Sequence, residues 1–303
     1  MPKTKSKMKK IIFSLLAIAF SQFILAQDAE KESLKKTEEA VAKIGADKPN
    51  GWVKKGTFTF LVNQATFNNW LAGGQSNISG NTNVNYDFNY KKNDWSWDNK
   101  IIAAYGLTKI KDQEMQKTDD RFELNSLLGV KAFGLWYYSA FLNFKTQFDS
   151  GFDLKTGIRT THFFSPAFTQ FGPGMMWKKS DNLKFNIAPA TAKLIYVDKQ
   201  FTQFGSSFGV KQGETTRFEF GAAASGYYKF NIMENVSFEN ILNLYTNYLD
   251  KPKNVDLDYQ ANIVMKVNKY LSANLAYQTI YDDNAFSGFQ TRQVIGIGVN
   301  YGF

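Results

Sequence analysis

A strict alternation of polar and apolar residues runs through SNISGNTNVNYDFNY, positions 76–90. Asparagine, serine or aspartate occupies every odd position from Asn77 to Asn89, and the even positions end in Val84, Tyr86, Phe88 and Tyr90. A period of two puts these two sets on opposite faces of a β-strand. In a soluble sheet the wet face would normally be shared by lysine, glutamate and threonine. Here one face is mostly neutral amide and the other is heavily aromatic, so the strand separates two different surroundings.

The same alternation recurs from Trp52 to Phe303 and predicts an all-β chain. Aromatic residues make up 16% of the sequence, which favours strands. Most of the predicted strands are longer than the roughly 5–6 residues usual in soluble sheets, and they suit a tilted membrane crossing of about 9–11 residues. The predicted strands cover 56–67, 76–90, 95–109, 120–132, 136–148, 166–177, 183–197, 216–232, 236–249, 255–267, 271–282 and 290–303.

The connections between these strands alternate in length, which predicts their topology. The short connections are 91–94, 133–135, 178–182, 233–235 and 268–270, and the longer ones are 71–75, 110–119, 149–165, 198–215, 250–254 and 283–289. This pattern is typical of a membrane-spanning up-and-down antiparallel β-barrel with short periplasmic turns and longer outer loops. We expect about 12 strands, with 10 and 14 as alternatives, because barrels of this kind have even strand numbers.

Aromatic residues gather near the predicted strand ends. Trp95, Trp97, Trp136 and Trp177 flank short connections, while Phe148, Tyr248, Tyr281 and Trp70 lie near longer ones. Such belts are typical of a barrel at the two membrane interfaces. The competing interpretation is a soluble β-sandwich with an aromatic core.

Two prolines interrupt neighbouring strands of one predicted hairpin. Pro173 and Pro189 flank the short connection at 178–182, and each lacks a backbone donor for the strand ladder. A pairing of residue 177 with residue 183 brings the prolines almost opposite each other. We therefore predict a shared bulge or break in this hairpin.

The N-terminus has the features of an export signal. MPKTKSKMKK is basic, IIFSLLAIAFSQFIL is an apolar stretch of 15 residues, and Ala26 offers a small residue for cleavage. Residues 1–26 are therefore predicted to be a signal peptide, since a spanning helix needs about 20 apolar residues. Residues 27–50 are predicted to be a polar periplasmic leader that could contain a short helix, followed by the barrel at 51–303. The predicted location is the outer membrane.

Charge and cysteine content exclude several classes of function. The formal net charge is +9, but five lysines lie in residues 1–26 and the remaining excess is dispersed, so no nucleic-acid partner is predicted. The chain has no cysteine and therefore no disulfide or thiol chemistry. No cofactor is predicted.

The last predicted strand, QVIGIGVNYGF, ends the chain with an aromatic residue. Gly298, Tyr301 and Phe303 resemble the terminal signature by which outer-membrane barrels are presented to their assembly machinery. That resemblance implies two partners, the outer-membrane lipid bilayer and the barrel-assembly machinery.

Three further segments resemble a known family. They are FFSPAFTQFGPGMMWKKSDNLKFNIAPATAKLIYV at 163–197, NWLAGGQ at 69–75 and WDN at 97–99. The chain resembles an uncharacterised Bacteroidota family of predicted outer-membrane β-barrels, a domain of unknown function, over roughly Gly51 to Phe303. The resemblance implies the barrel and its compartment, and it implies no substrate or catalytic residue.

No catalytic or metal site is predicted, so the chain is not expected to be an enzyme. Some barrel hydrolases place His and Ser two residues apart on a strand, because the base must reach the hydroxyl. The only histidine, His162, has Ser165 three residues away and Thr160 two residues away, so it is interpreted as a loop residue. The pairs Asp119–Asp120 and Asp282–Asp283 lack a spaced calcium-loop motif.

The inward-facing charges are the best candidates for a functional site. The expected function is a narrow channel or transporter for small polar solutes. Barrels of eight strands are filled by side chains and barrels of sixteen leave an aqueous channel, so twelve strands leave an interior of intermediate width. The alternative is a non-conducting structural or accessory barrel that binds a periplasmic or surface partner. The candidate lumen-lining residues are Lys100, Arg121, Glu123, Lys145, Arg217, Glu219, Glu239, Asp258 and Arg292, with Lys131, Lys184, Lys229, Lys266, Asp87, Asp98 and Asp256 predicted on the same face.

Overall fold

The computed structural model describes residues 50–66, 75–153, 156–268 and 270–303. The predicted signal peptide at 1–26 and nearly all of the leader at 27–50 lie outside these residues, as does Trp70. Within the described residues, no helix has the length and apolar character needed to cross a membrane.

Twelve antiparallel strands form a closed barrel, which confirms the predicted fold and strand number. The two remaining strands, β6 (Gly151–Phe152) and β7 (Arg159–Thr161), form a small hairpin within one long loop. The barrel strands are β1 (Gly51–Ala65), β2 (Asn77–Lys92), β3 (Trp95–Ile110), β4 (Gln116–Phe133), β5 (Trp136–Thr146), β8 (Ala167–Ser180), β9 (Leu183–Tyr196), β10 (Thr216–Met233), β11 (Val236–Asn247), β12 (Asp256–Lys266), β13 (Leu271–Asp282) and β14 (Phe286–Gly302).

The strands follow one another around the ring in chain order, and β14 closes against β1. The closing pairs run from Thr57–Gly302 to Val62–Ile297. Gly56 and Phe303 exchange two further backbone hydrogen bonds of 2.6 and 3.0 Å. Closure satisfies the strand edges internally, as a membrane-spanning sheet requires.

The strand bounds depart from the predicted ones mainly where the strands begin. β1 begins at Gly51 rather than at 56, and its first residues pair with the end of β2 from Gly51–Lys91 onward. β4 begins at Gln116 rather than at 120, and β14 begins at Phe286 rather than at 290. These ends have no coherent apolar face, so alternation could not reveal them, although their backbones still pair.

The proline-containing hairpin is broken as predicted. Pairing of β8 with β9 stops after Phe171–Ala192 and resumes at Met175–Ile187, one residue out of step. The turn of this hairpin is shorter than predicted. Trp177 pairs with Phe185 rather than with residue 183, and the strands pair as far as Ser180 and Leu183. In the break, the Thr191 hydroxyl donates to the Ala188 carbonyl at 2.9 Å.

The two faces of the barrel have opposite character. The exterior exposes apolar side chains along whole strands, including Ile295, Ile297 and Val299 on β14. Trp52, Trp95 and Tyr270 are exposed near the short turns, where an interfacial girdle was predicted. Buried polar side chains, among them Glu219, Glu239 and Asp258, lie on the interior. Such an exterior is the one a membrane-spanning barrel presents to lipid.

Candidate functional site

Side-chain contacts cross the full width of the barrel. β3 and β11 lie six strands apart in either direction around the ring, and so do β4 and β12. Lys100 of β3 nevertheless forms an ion pair of 3.0 Å with Glu239 of β11. Arg121 of β4 donates a hydrogen bond of 2.9 Å to Gln260 of β12. Contacts between diametrically opposite strands must pass through the interior, so these side chains bridge the lumen.

The bridge at Lys100 belongs to a group of polar side chains near the short turns, which we name the turn-side cluster. Lys100 also lies 3.5 Å from Asp87, and the Tyr227 hydroxyl donates to Glu239 at 2.8 Å. Asp98 binds two ammonium groups, Lys178 at 2.7 Å and Lys184 at 2.6 Å. The turn-side cluster comprises Asp87, Asp98, Lys100, Lys178, Lys184, Tyr227 and Glu239.

Strand alternation positions most of this cluster. Ser96, Asp98 and Lys100 share one face of β3, and the Lys178 ammonium donates to the Ser96 hydroxyl at 2.8 Å as well as to Asp98. The Asp98 side chain is only 6% exposed. A buried carboxylate is costly unless its oxygens are paired, and here each oxygen has an ammonium partner.

The bridge at Arg121 belongs to a second group, nearer the long loops, which we name the loop-side cluster. Lys145 of β5 forms an ion pair with Asp258 of β12. Gln278 donates to the other oxygen of Asp258 at 2.9 Å, and Arg121 lies 3.5 Å from Glu123. The loop-side cluster comprises Arg121, Glu123, Lys145, Asp258, Gln260 and Gln278.

Further charges pair at the end of the lumen beside the long loops. Lys193 of β9 reaches Asp256 at 2.9 Å and Glu219 at 3.4 Å. Arg217 lies 2.7 Å from Glu219, and Arg292 of β14 pairs with Asp119 of β4. All nine candidate lumen-lining residues thus lie in polar contacts on the interior side of the barrel.

Sequence reasoning missed Lys178 and Lys193, for two different reasons. The sequence predicts Lys178 in a turn, but β8 continues to Ser180 and carries it on the interior face. Lys193 is an odd-numbered residue on the same strand as Lys184, and both point inward because the break around Pro189 shifts the register of β9. The proline was the available signal, since a one-residue bulge exchanges the two faces of a strand.

The asparagine row of β2 contributes neutral hydrogen bonds to this interior. Asn81 donates to Asp119 of β4 at 3.3 Å by reaching across Gly106 of β3. A Cβ at Gly106 would lie 2.6 Å from the Asn81 amide nitrogen, so the glycine permits the contact. Asn89 has a different role, because its side-chain oxygen accepts the Asn99 backbone N–H at 2.9 Å where the β2–β3 ladder is interrupted.

His162 lies in a tight turn of the long loop, where it binds a neighbouring loop. One ring nitrogen lies 2.6 Å from the Phe163 carbonyl, and the other lies 3.2 Å from the Asp198 carboxylate. The buried Ser165 hydroxyl instead accepts the Asp198 backbone N–H at 2.8 Å. His162 therefore faces Asp198 rather than the Ser165 hydroxyl, and the non-enzyme expectation stays a prediction.

Asp198 also begins the short helix α1 (Lys199–Thr202), whose N-cap it is. Its side chain accepts the Gln200 backbone N–H at 2.9 Å. This hydrogen bond, together with that of His162, holds the pKa of Asp198 below its usual range. Asp149 in the preceding loop likewise has a lowered pKa, because it accepts hydrogen bonds from the Tyr105 hydroxyl and the Ser150 N–H.

Three carboxylates lie together at the long-loop end of the barrel. Atoms of Asp256, Asp282 and Asp283 are within 4.8 Å of one another. Lys193 lies between two of them, at 2.9 Å from Asp256 and 3.6 Å from Asp282. Lys251 and Asn254 reach Asp283 at 3.3 and 2.7 Å. Basic and amide side chains of the protein itself thus surround this group.

The three residues of the predicted assembly signal lie at the end of the closing strand. Tyr301 and Phe303 point outward and their rings stack, with centroids 6.2 Å apart. Gly298 packs against β1 at Leu61, where a Cβ would collide with the neighbouring backbone. The structure places all three at the seam, and their role in assembly stays a proposal.

One family model matches part of the chain. Residues 62–152 match a family described as a protein of unknown function (DUF3078). The match includes the segments at 69–75 and 97–99 that suggested a resemblance, and it does not include 163–197. No curated protein sequence matched the chain. A Bacteroidota origin stays a prediction.

Comparison with solved structures found other barrels. An outer membrane channel from Pseudomonas putida F1 is 7% identical, with 86% of this chain and 98% of that chain covered and a TM-score of 0.40. The translocator domain of autotransporter NalP from Neisseria meningitidis is 10% identical, with 93% and 98% covered and a TM-score of 0.34. The outer membrane channel DcaP of Acinetobacter baumannii is 10% identical, with 84% and 96% covered and a TM-score of 0.33. These descriptions apply to those chains.

Proposed function

We propose that this chain is an outer-membrane β-barrel with a lumen closed by its own side chains, acting as a structural or accessory barrel rather than as an open pore. The observation that carries the proposal is the pair of contacts between diametrically opposite strands, Lys100–Glu239 and Arg121–Gln260. They lie in different clusters, one near the short turns and one near the long loops. A solute would have to displace both.

The size of the barrel supports this conclusion. Eight-stranded barrels are filled by side chains, whereas sixteen-stranded barrels leave an aqueous channel. Twelve strands leave an intermediate space, and here long Lys, Arg, Glu and Gln side chains meet in its middle. Ion pairs such as Lys145–Asp258 are largely buried, so breaking them for a passing solute would expose unpaired charges at a cost of several kcal/mol.

The location is part of the same proposal. A closed barrel with an apolar exterior is one of the two structures that can span a bilayer. The predicted signal peptide at 1–26 would export the chain, and Gly298, Tyr301 and Phe303 would present it to the barrel-assembly machinery. The long loops and the 27–50 leader are then the segments that can reach a surface or periplasmic partner.

Conductance in planar lipid bilayers tests the closure. We expect the purified full-length protein to insert without producing steady open-channel steps. A variant with Lys100, Arg121, Glu239 and Gln260 all replaced by alanine should conduct, because both bridges are removed. The matched control replaces the loop pair Lys251 and Asp283, whose lysine side chain is 64% exposed, with alanine and should stay silent.

Two results would contradict the proposal. Steady conductance of the wild-type protein would instead support the narrow solute channel expected from the sequence. A properly folded four-residue variant that remains silent would show that the bridges are not what closes the lumen. Folding of every variant is checked by the heat-dependent gel mobility that folded barrels show.

A further inference from the structure

The lumen near the short turns holds more bases than acids. Lys229 of β10 faces it, since Lys229 lies directly opposite the lumen-facing Glu239 in the β10–β11 ladder. Glu239 attracts its ammonium group, whereas Lys100 of β3 and Lys55 of β1 repel it. β1 lies five strands from β10 around the ring, so Lys55 and Lys229 approach the lumen from different walls. Alternation along their strands points three more lysines inward at the same end: Lys91, Lys131 and Lys266.

The carboxylates at this end are already engaged. Glu239 pairs with Lys100, and Asp98 pairs with Lys178 and Lys184. Lys55 and Lys229 form no ion pair within the described part of the chain, although Glu239 lies directly opposite Lys229 in the β10–β11 ladder. Lys229 is half-buried, so its charge is only partly solvated. The lysines that face this end outnumber Asp87, Asp98 and Glu239, so the interior at the short turns carries a net positive charge.

The opposite end of the lumen has a different balance. There Asp256, Asp282 and Asp283 lie within 4.8 Å of one another, and Glu219 is close to the same lysine, Lys193. Carboxylates thus concentrate at the long-loop end while free ammonium groups concentrate at the short turns. An anion would be attracted more strongly to the end at the short turns.

We propose that the turn-side end of the lumen is a binding site for a small polyvalent anion carrying phosphate or carboxylate groups. Lys55 and Lys229 would supply the free charges, and Tyr227 with the lysines around it would form the floor. Ammonium groups of Lys100 and Lys184 lie 5.7 and 5.5 Å from the centre of the Tyr227 ring. Lysine ammonium groups bind such anions as flexible point charges with three donors each. The ligand would enter from the side of the short turns, which is the periplasmic side in the proposed orientation.

Calorimetric titration of the full-length protein in detergent tests this site. The probes are inorganic pyrophosphate and citrate, one for each anion chemistry, and a polyglutamate peptide as the macromolecular alternative. We expect saturable binding of at least one small anion. Lys229→Gln should weaken it roughly tenfold, or about 1.4 kcal/mol, because it removes one charged donor. Lys229→Arg should retain it.

The matched control is Lys111→Gln, which removes an exposed lysine between β3 and β4 at the opposite end of the barrel. Binding by this variant should equal that of the wild type. The proposal is overturned if neither small anion binds saturably, if only polyglutamate binds, or if the Lys111 variant is weakened as much as the Lys229 variant. If Lys229→Gln fails to fold, Lys55→Gln is the second variant and carries the same expectation. Calorimetry does not depend on conductance. Failure of the anion site and failure of the proposed closed lumen are therefore distinguishable.

Discussion

At the scale of single residues, the interior is organised around carboxylates that each serve several partners. Asp98 binds Lys178 and Lys184, and Glu239 accepts from Lys100, Tyr227 and Asn262. Sharing places more than one donor on each buried acid and compensates the cost of removing it from water. Loss of one such acid therefore leaves two or three groups without their partner.

Replacing Asp98 with asparagine is expected to destabilise the barrel. The change removes the charge that holds two largely buried ammonium groups, 11% and 16% exposed, close together. Removing one partner of a buried ion pair typically costs about 3–5 kcal/mol. The measurement is urea unfolding of the protein in lipid vesicles followed by tryptophan fluorescence. Asp94→Asn, on the exposed adjacent turn, is the control and should change the free energy of unfolding little.

A pH effect is expected at the contact between the two longest loops. The pKa of Asp198 is lowered, chiefly by the hydrogen bond from Gln200 and also by His162. A lowered pKa in the folded state means that the stabilisation is present above the unfolded aspartate pKa of about 3.9. It is lost as the pH falls through the lower folded value.

Limited proteolysis of the loop at 197–215 can follow this change. Cleavage should be slow at pH 5 and should increase below about pH 4, near and under the unfolded aspartate value. Asp198→Asn should remove the pH step in this range. An unchanged step in that variant would assign the transition to another group.

At the scale of elements, the seam between β1 and β14 is where the sheet becomes a barrel. Pairs from Thr57–Gly302 to Val62–Ile297 close it, whereas β1 pairs with β2 along its whole length. Phe303 extends the seam by one residue and stacks on Tyr86 of β2, with ring centroids 6.0 Å apart. The final aromatic residue thus connects the last strand to the first two strands.

Replacing Phe303 with alanine is expected to reduce the yield of folded barrel. The variant keeps its backbone pairing with Gly56 but loses stacking on Tyr86 and Tyr301, about 1–2 kcal/mol in total. The measurement is the folded fraction by heat-dependent gel mobility, both in membranes and after refolding in detergent. Phe286→Ala, at the other end of β14, is the control.

The two settings separate two roles of Phe303. A defect in both settings indicates that the seam itself is weakened. A defect only in membranes indicates recognition by the assembly machinery. Equal yields of Phe303→Ala and wild type in both settings would exclude both roles.

At the scale of the whole molecule, opposite walls of the barrel are energetically connected through the lumen. Lys100 and Glu239 are 139 residues apart in sequence and six strands apart around the ring, and they are only 13% and 11% exposed. Their contact exists only when every strand between them is in register. The interior therefore favours one closed barrel over alternative strand numbers.

A double-mutant cycle should measure this connection. Lys100→Ala, Glu239→Ala and the double variant are expected to give a coupling free energy of about 1–3 kcal/mol. The loop pair Lys251 and Asp283, whose lysine side chain is 64% exposed, should give less than about 1 kcal/mol. Unfolding in urea supplies the four free energies of each cycle. Equal coupling in both cycles would show that the cross-lumen pair contributes no more than a surface contact.

Much of the fold could be predicted because it is local in the sequence. A period of two depends only on neighbouring residues, so the strands from Trp95, Trp136, Leu271 and Val236 begin where alternation placed them. The positions of the short turns are also local, because they depend only on the few residues between two strands. The break at Pro173 and Pro189 follows from the missing backbone donors of those residues.

The sequence by itself determined which face of most strands is polar, that the sheet closes, and that the interior carries both signs of charge. Only the tertiary structure decided which charges meet, because partners such as Arg121 and Gln260 become neighbours only after twelve strands close with one register. The tertiary structure also decided that Lys193 faces inward. The register of β9 shifts against both β8 and β10, and this shift moves Lys193 to the interior face. The asparagines of residues 77–89 show the division clearly. Their spacing placed them on the polar face, but the contact of Asn81 with Asp119 required the closed barrel and Gly106 between them.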